Sequence, residues 1–275
     1  MNAATTIEAP TVQSRSGPRT IENLINTVSA SRLSTFHQCR LKFYFRYVLA
    51  LPKPKTAALH LGSSVHAVLK FWNKARWRSQ EISLKELHAV YSGLWQHEQE
   101  EEPVDWQGEE EEQKMAGFKL LETYIREGPI KADEKPEAVE VSVEADLGHH
   151  SLPTLVGIID LVRPGGKIVD FKTSGRAPDP ETVSHLNDIQ LSGYGVLYRE
   201  VTGKTESGLE LHHLVKTKAP KVVVTELPSI SEVQEHRLYH VMESYVEGVQ
   251  RTDWVPSPGM QCASCEFLNE CKAWC

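Results

Sequence analysis

The order of the predicted elements indicates an α/β domain in which helices precede a small β-sheet. Apolar residues recur at helical spacing through the first half of the chain. Short β-rich segments, in which apolar and polar residues alternate, begin near residue 139. Helical periodicity then returns between and after these strands. We expect helices in this order to cover one sheet and share its core.

The individual elements follow from local signals in chain order. Ser34 is a candidate N-cap of a first helix, which is basic and aromatic over residues 39–47 and ends at the prolines within 51–55. We expect most of its aromatic rings to lie in the core, and the alternative is a surface that binds single-stranded nucleic acid. Further helices are predicted at about 62–76, 83–99, 110–126, 183–199 and 231–250. Strands are predicted at about 139–143, 155–162, 167–173, 209–216 and 221–227.

The composition indicates a folded domain with a flexible end. The chain has 275 residues, of which 40% are hydrophobic, and a formal net charge of −7. Residues 1–28 are predicted to be a flexible tail, and residues 29–275 a single domain. Because the sequence shows neither a secretory signal pattern nor an apolar run of roughly 18 residues, a cytoplasmic location without membrane contact is expected. The negative charge argues against indiscriminate coating of nucleic acid, although a local basic groove can still bind DNA.

A predicted β-hairpin carries the most informative residues of the sequence. Its turn is Pro-Gly-Gly at 164–166. A three-residue loop there would pair Arg163 with Lys167, Val162 with Ile168, and Leu161 with Val169. Asp160 would then lie opposite Asp170, with Cβ atoms roughly 4.5–5.5 Å apart. Lys172 shares the face of Asp170 because side chains alternate along a strand, whereas a longer turn would change this register.

The two faces of this hairpin differ in chemistry. One face carries only apolar residues, namely Ile159, Leu161, Val169 and Phe171. The opposed carboxylates on the other face repel each other, and a bound divalent cation removes that repulsion. Oxygen ligands of this kind suit Mg²⁺ or Mn²⁺, which polarise phosphoryl oxygens and activate water. The alternative is a surface hairpin whose charged side chains form ordinary ion pairs.

Five motifs occur in a fixed order along the chain. They are Gly62-x-x-x-His66-x-x-Leu69, Gly157-Ile-Ile-Asp160, Asp170-Phe-Lys172, Gln190-x-x-x-Tyr194, and cysteines near both ends of the chain. Together they resemble the RecB-like branch of the PD-(D/E)xK nucleases that carries an iron–sulfur cluster, a subgroup that includes the AddB nuclease domain and the CRISPR-associated RecB-like exonucleases. Each motif alone is weak, but five in the right order over residues 34–271 are specific.

The resemblance implies a fold and a set of site residues. The fold would be a restriction-endonuclease-like core, in which a small mixed sheet is flanked by helices. The residues implied to bind Mg²⁺ or Mn²⁺ are His66, Asp160, Asp170 and, through its carbonyl, Phe171. The residues implied to act in catalysis are Asp160, Asp170, Lys172, Gln190 and Tyr194. The family also has an acidic residue between the histidine and the first aspartate, for which Glu140 and Glu144 are both candidates.

The cysteines predict a second metal site. An odd number, five, in a chain without a secretory signal argues against a disulfide framework. Cys262, Cys265 and Cys271 lie close together in sequence, and Cys39 supplies a fourth thiolate from the other end of the chain. Four cysteine thiolates are the usual ligands of a [4Fe–4S] cluster, which would join the N- and C-termini. Zinc is the alternative, and Cys275 is a spare thiol that competes with Cys271 as a ligand.

These patterns predict a Mg²⁺- or Mn²⁺-dependent deoxyribonuclease. We expect an exonuclease that acts on single-stranded DNA or DNA ends in recombination, repair or CRISPR adaptation. The alternatives are a module that binds DNA ends for a helicase or recombination complex, and a sequence-specific endonuclease of the same superfamily. Gly203-Lys204-Thr205 is not a complete phosphate-binding loop, because Tyr198 stands where the pattern requires glycine. Any unwinding of duplex DNA would therefore need a partner.

Overall fold

Ten α-helices and eight strands form the part of the chain that the computed structural model describes, residues 18–274. The helices are α1 (Ile21–Asn26), α2 (Ala30–Gln38), α3 (Arg40–Phe43), α4 (Ala57–Trp77), α5 (Leu84–Glu101), α6 (Glu110–Glu127), α7 (Val183–Leu186), α8 (Asp188–Thr202), α9 (Glu232–Gln250) and α10 (Leu268–Lys272). The strands are β1 (Thr27–Val28), β2 (Lys55–Thr56), β3 (Val104–Asp105), β4 (Ala138–Ala145), β5 (Thr154–Arg163), β6 (Lys167–Ser174), β7 (Gly208–Val215) and β8 (Lys221–Leu227). None of the described helices is long and apolar enough to cross a bilayer.

The main sheet is mixed, as the resemblance implied. Its strand order is β1-β5-β6-β7-β8, and β4 also pairs with β5. The hairpin strands β5 and β6 are antiparallel, β6 and β7 are parallel, and β7 and β8 are antiparallel. Two parallel neighbouring strands need a long connection, and the connection between β6 and β7 contains α7 and α8. The α/β fold with a mixed sheet and flanking helices is therefore confirmed.

The described chain divides into two compact units, each built from segments that are distant in sequence. One unit contains the described residues up to Pro52, Ser142–Gly157, and the described residues from His236 onward. The other contains Lys53–Val141 and Ile158–Glu235. The four cysteines with predicted cluster roles fall in the first unit, and every predicted catalytic residue falls in the second.

The core of the second unit forms between one face of α4 and the sheet. Val65, Val68, Leu69 and Trp72 of α4 are buried together with Leu161, Val169 and Phe171 of the hairpin. Helix α5 begins with a capping box, in which Ser83 and Glu86 satisfy each other's backbone N–H groups. The apolar periodicity that predicts these helices thus corresponds to the face that each one buries.

Aromatic rings fill the core of the first unit. Phe36, Phe43 and Tyr245 pack edge to face with ring centroids 5.1–5.6 Å apart. Phe45 is buried with Phe267. Phe43 and Phe45 belong to the predicted basic and aromatic segment, and both are buried, so the interpretation that its aromatic residues lie in the core is confirmed for these two rings.

Two expectations for the N-terminal region are wrong. The tail predicted for residues 1–28 ends too late, because Thr20 caps α1 and Val28 pairs with Leu155; residues 1–17 lie outside the described part of the chain. The first long helix begins at Ala30 and not at Ser34, because the Ser29 hydroxyl accepts a hydrogen bond from the Arg32 N–H.

The helix predicted for residues 183–199 is interrupted at Asn187, which separates α7 from α8.

Candidate active site

The β5–β6 hairpin has the register that its turn residues predict. Leu161 pairs with Val169, Val162 with Ile168, and Arg163 with Lys167. Gly165 and Gly166 have φ angles of 83° and 77°, a backbone conformation that glycine adopts without strain. The apolar face is buried as expected, so the polar face carries the aspartates and the lysine.

Asp170 is the buried centre of a hydrogen-bonded group. Only 2% of this residue is exposed. Lys172 Nζ lies 2.8 Å from Asp170 Oδ2 and donates a hydrogen bond to Gln190 Oε1 over 2.6 Å. Gln190 Nε2 donates to Asp170 Oδ1 over 3.1 Å. The ammonium is therefore held between a carboxylate and an amide oxygen, which fixes its position and compensates the buried negative charge.

Tyr194 completes this group from the same face of α8. Its hydroxyl accepts a hydrogen bond from Gln190 Nε2 over 2.8 Å and donates to Asp170 Oδ1 over 3.3 Å. Burial, and then the charge of Asp170, raise the pKa of the phenol above its ordinary value. The hydroxyl therefore stays protonated and acts as a donor to the aspartate.

Asp160 and His66 form the other side of the site. The Phe171 N–H donates to Asp160 Oδ2 over 2.9 Å, and His66 Nδ1 lies 3.5 Å from the same oxygen. Burial, and then the charge of Asp170, raise the pKa of Asp160 to about 8. Burial lowers the pKa of His66, and the nearby Phe171 carbonyl partly opposes this shift. A neutral imidazole is the form that binds metal ions.

Glu140 reaches this site, although the sequence alone did not separate it from Glu144. Its charge raises the pKa values of both Asp160 and His66, and it pairs with Lys70 of α4 over 3.4 Å. Glu140 lies within β4 with a φ of 48°, which is unusual for a residue other than glycine. Such a local distortion re-aims a strand side chain. Glu144 is exposed.

A histidine that the sequence analysis did not select also lies beside the lysine. His213 of β7 is the register partner of Lys172, and it is 7% exposed. Burial lowers its pKa, and the charge of Lys172 adds to that effect. Every residue of β7 is buried, yet the strand contains polar residues at 210, 212 and 213. Polar residues within an otherwise apolar strand were the signal available in the sequence.

The side chains fit a divalent cation by chemistry, although their arrangement is not that of a formed metal site. Within residues 18–274, no group of three or more histidine, cysteine, aspartate or glutamate residues is placed so that it could hold a metal ion. Lys172 and Gln190 hold Asp170, and the Phe171 N–H holds Asp160. Asp170 Oδ2 is buried and faces Lys172 Nζ at 2.8 Å. Two carboxylates beside an imidazole whose neutral form is favoured by burial are a chemically suitable set of ligands for Mg²⁺ or Mn²⁺.

Comparison with known families covers almost the whole chain. The model of the PD-(D/E)XK nuclease superfamily matches residues 27–272. The chain belongs to this superfamily. A search of curated proteins found no match.

One solved structure shares the fold at low sequence identity. A Eubacterium rectale protein named "Putative exonuclease" has a TM-score of 0.59 and is 16% identical, with 92% of this chain and 90% of that chain covered. The protein SSO0001 is 15% identical and has a TM-score of 0.35, and the match covers 88% of this chain and 95% of that chain. The first of these similarities supports the superfamily's α/β fold.

The four cysteines with predicted cluster roles interact in the first unit. Burial raises the pKa of Cys271, and the charges of Cys39, Cys262 and Cys265 raise it further. The Lys42 N–H donates to Cys39 Sγ, and the Gly259 N–H donates to Cys262 Sγ, each over 3.5 Å. The structure thus brings together thiols from both ends of the chain, but within the described residues they do not form a metal-binding group. Cys275 lies outside the described residues.

Proposed function

We propose that this protein is a divalent-metal-dependent deoxyribonuclease that degrades single-stranded DNA or DNA ends as an exonuclease. The observation that carries the proposal is the contact between Lys172, Asp170 and Gln190 beside Asp160. This is the charge pattern required to bind a cation and to stabilise a phosphodiester that gains negative charge during hydrolysis. The exonuclease assignment also draws on the name of the Eubacterium rectale protein that shares the fold.

Each side chain has a distinct task in this proposal. His66, Asp160, Asp170 and the Phe171 carbonyl would hold Mg²⁺ or Mn²⁺, and Glu140 would add a further carboxylate. The bound ion would supply Lewis-acid activation of water and phosphate. Lys172 would stabilise the negative charge that develops on the phosphoryl oxygens.

Gln190 and Tyr194 are positioning residues in this mechanism. Gln190 accepts a hydrogen bond from Lys172 and donates one to Asp170, so it sets the distance between the two charges. Tyr194 donates to the same aspartate and keeps its carboxylate oriented. Both groups can also contact the DNA backbone once substrate is present.

The nuclease proposal is tested with linear and circular DNA, each in single- and double-stranded form. We expect degradation of linear single strands in Mg²⁺ or Mn²⁺, no cleavage with chelator, and cleavage that is slower by about 10²–10³ for Lys172→Met. Discrete fragments from circular duplex would instead indicate a sequence-specific endonuclease. Tight binding of DNA ends without turnover would favour an accessory module of a helicase or recombination complex.

We also propose that Cys39, Cys262, Cys265 and Cys271 hold a [4Fe–4S] cluster and that the protein belongs to the RecB-like branch. The charges of Cys39, Cys262 and Cys265, which raise the pKa of Cys271, and the two N–H···S contacts support a shared site for the four thiols. Recombination, repair and CRISPR adaptation are the proposed settings, each with a partner that presents DNA ends. Anaerobic purification followed by iron, sulfide and zinc analysis tests the cluster, with about four irons per chain expected. One zinc and no iron would replace the cluster with a Cys₄ zinc site.

A further inference from the structure

Helix α4 has an open face that continues from the candidate active site. With 3.6 residues per turn, its buried residues all fall on one side. The residues on and beside the opposite side, after the active-site histidine, are Lys70, Phe71, Lys74, Trp77 and Arg78. We call these five residues together with His66 the open face of α4. None of them contributes to the core of the second unit.

Two large rings on the open face are exposed. Phe71 is 40% exposed and Trp77 is 48% exposed. Trp77 lies about 16 Å along the helix axis from His66, at 1.5 Å per residue. Exposed apolar residues are common on proteins, but here the two rings lie on either side of a row of basic residues.

The charge of the open face is opposite to that of the whole chain. Lys70, Lys74 and Arg78 lie at successive helical turns, whereas the chain has a formal net charge of −7. Lys70 lies one turn after His66 and pairs with Glu140 of the active site over 3.4 Å. The basic line is therefore continuous with the carboxylates that would hold the metal.

We propose that the open face of α4 binds the single strand that leads into the active site. This inference rests on the proposed nuclease function and names the substrate path for it. Phosphates would contact Lys70, Lys74 and Arg78, while bases would stack on Phe71 and Trp77. Alternating basic and aromatic side chains recognise single strands in this way without reading sequence.

The test measures binding and cleavage separately with the Phe71→Ala/Trp77→Ala variant. Binding of a fluorescein-labelled oligothymidylate of about 20 nucleotides is followed by anisotropy in chelator, so that turnover cannot interfere. We expect the affinity to fall by about tenfold or more for each aromatic residue removed. Met115→Ala is the matched control, because Met115 of α6 is 50% exposed and lies off the open face. Thermal melting confirms that each variant is folded.

The basic residues have a second and independent readout. Lys70→Gln and Lys74→Gln should each reduce the slope of log affinity against log salt by about 0.7. Lys119→Gln on α6 removes the same charge from an exposed position elsewhere and should leave binding to the strand intact. If the aromatic and lysine variants bind the strand like the parent, the proposed path is wrong, and a protein partner becomes the candidate for this face.

A small phosphodiester distinguishes failure of the path from failure of the nuclease proposal. Hydrolysis of bis(p-nitrophenyl) phosphate needs the metal site but no strand of DNA along the open face. We expect the double aromatic variant to retain this activity while it loses activity on long single strands. If the parent hydrolyses neither substrate, the nuclease proposal fails, whereas the anisotropy measurement still decides whether the open face binds DNA.

Discussion

The carboxylate site and the cysteine group are held in different ways. Around Asp170, a lysine, a glutamine and a tyrosine already make short contacts with one buried carboxylate. Around the cysteines, the contacts are backbone N–H groups and apolar rings, and the thiols stay partly exposed. A site whose charges are balanced by the protein folds without its ion, whereas a thiolate group gains much of its order from the metal. We therefore expect metal loss to affect stability mainly through the cysteines and activity mainly through the carboxylates.

The largest effect expected from this comparison is on stability. Cys39→Ser removes one of the four thiols of the proposed cluster, so the iron or zinc that this proposal expects should be lost and the melting temperature should fall steeply. Structural metal sites contribute about 10–16 kcal/mol of binding free energy in small domains. Metal analysis and calorimetry of the purified variant measure both quantities. Cys275→Ser is the control and should keep its metal content and stability. A Cys39→Ser protein with full metal content would contradict the proposal that Cys39 is a ligand.

Lys172→Met should affect the rate far more than the stability. Loss of one group that stabilises transition-state charge costs about 10²–10³ in turnover. The measurement is the rate of single-strand degradation in saturating Mg²⁺. Lys221→Met, at the exposed start of β8, changes the same charge outside the site and should have the parent's rate. Similar rates for both variants would remove the lysine from the mechanism.

The raised pKa of Asp160 gives a pH dependence with a definite sign. The folded protein without metal keeps a proton that the unfolded chain has lost, so its stability should fall as the pH rises towards about 8. Between about pH 5 and 7 the slope due to this group is about 1.4 kcal/mol per pH unit, and it becomes smaller as the pH rises through about 8. Urea unfolding in chelator at pH 6.5 and 7.5 measures it. The Asp160→Asn variant should lack the part of the pH dependence that comes from Asp160. Equal slopes of unfolding free energy against pH for parent and variant would contradict a raised pKa for this residue.

Tyr194→Phe is expected to have the smallest effect. It removes one hydroxyl that donates to the Asp170 carboxylate over 3.3 Å, and such a long hydrogen bond to a charged group contributes about 1.5 kcal/mol. Turnover should fall by about tenfold, with little change in substrate affinity. Tyr198→Phe, one turn later on α8, is the matched control. A loss as large as that of Lys172→Met would show that the phenol contacts the reacting groups directly.

Sequence alone predicted the elements that depend on local signals. The Pro-Gly-Gly turn fixes the hairpin register. The spacing of Gln190 and Tyr194 puts both side chains on one face of α8, and in the structure both contact Asp170. Because register follows from a tight turn and alternation, no tertiary information was needed.

Other features depend on contacts that the sequence does not encode locally. The distortion at Glu140 and the parallel pairing that brings His213 beside Lys172 are products of tertiary structure. The start of α2 was missed because Ser29 and Ser34 are both good N-caps, and packing selects between them.

The central claim is that Asp170 belongs to a metal-dependent nuclease site, and Asp170→Asn tests it most directly. This change keeps the size of the side chain but removes the charge that would bind the cation and face Lys172. Degradation of linear single-stranded DNA is measured for parent and variant across a range of Mg²⁺ and Mn²⁺ concentrations, with folding checked by thermal melting. We predict a folded variant whose turnover falls by about 10³ or more at every metal concentration. A folded variant that degrades DNA at the parent's rate would contradict the claim.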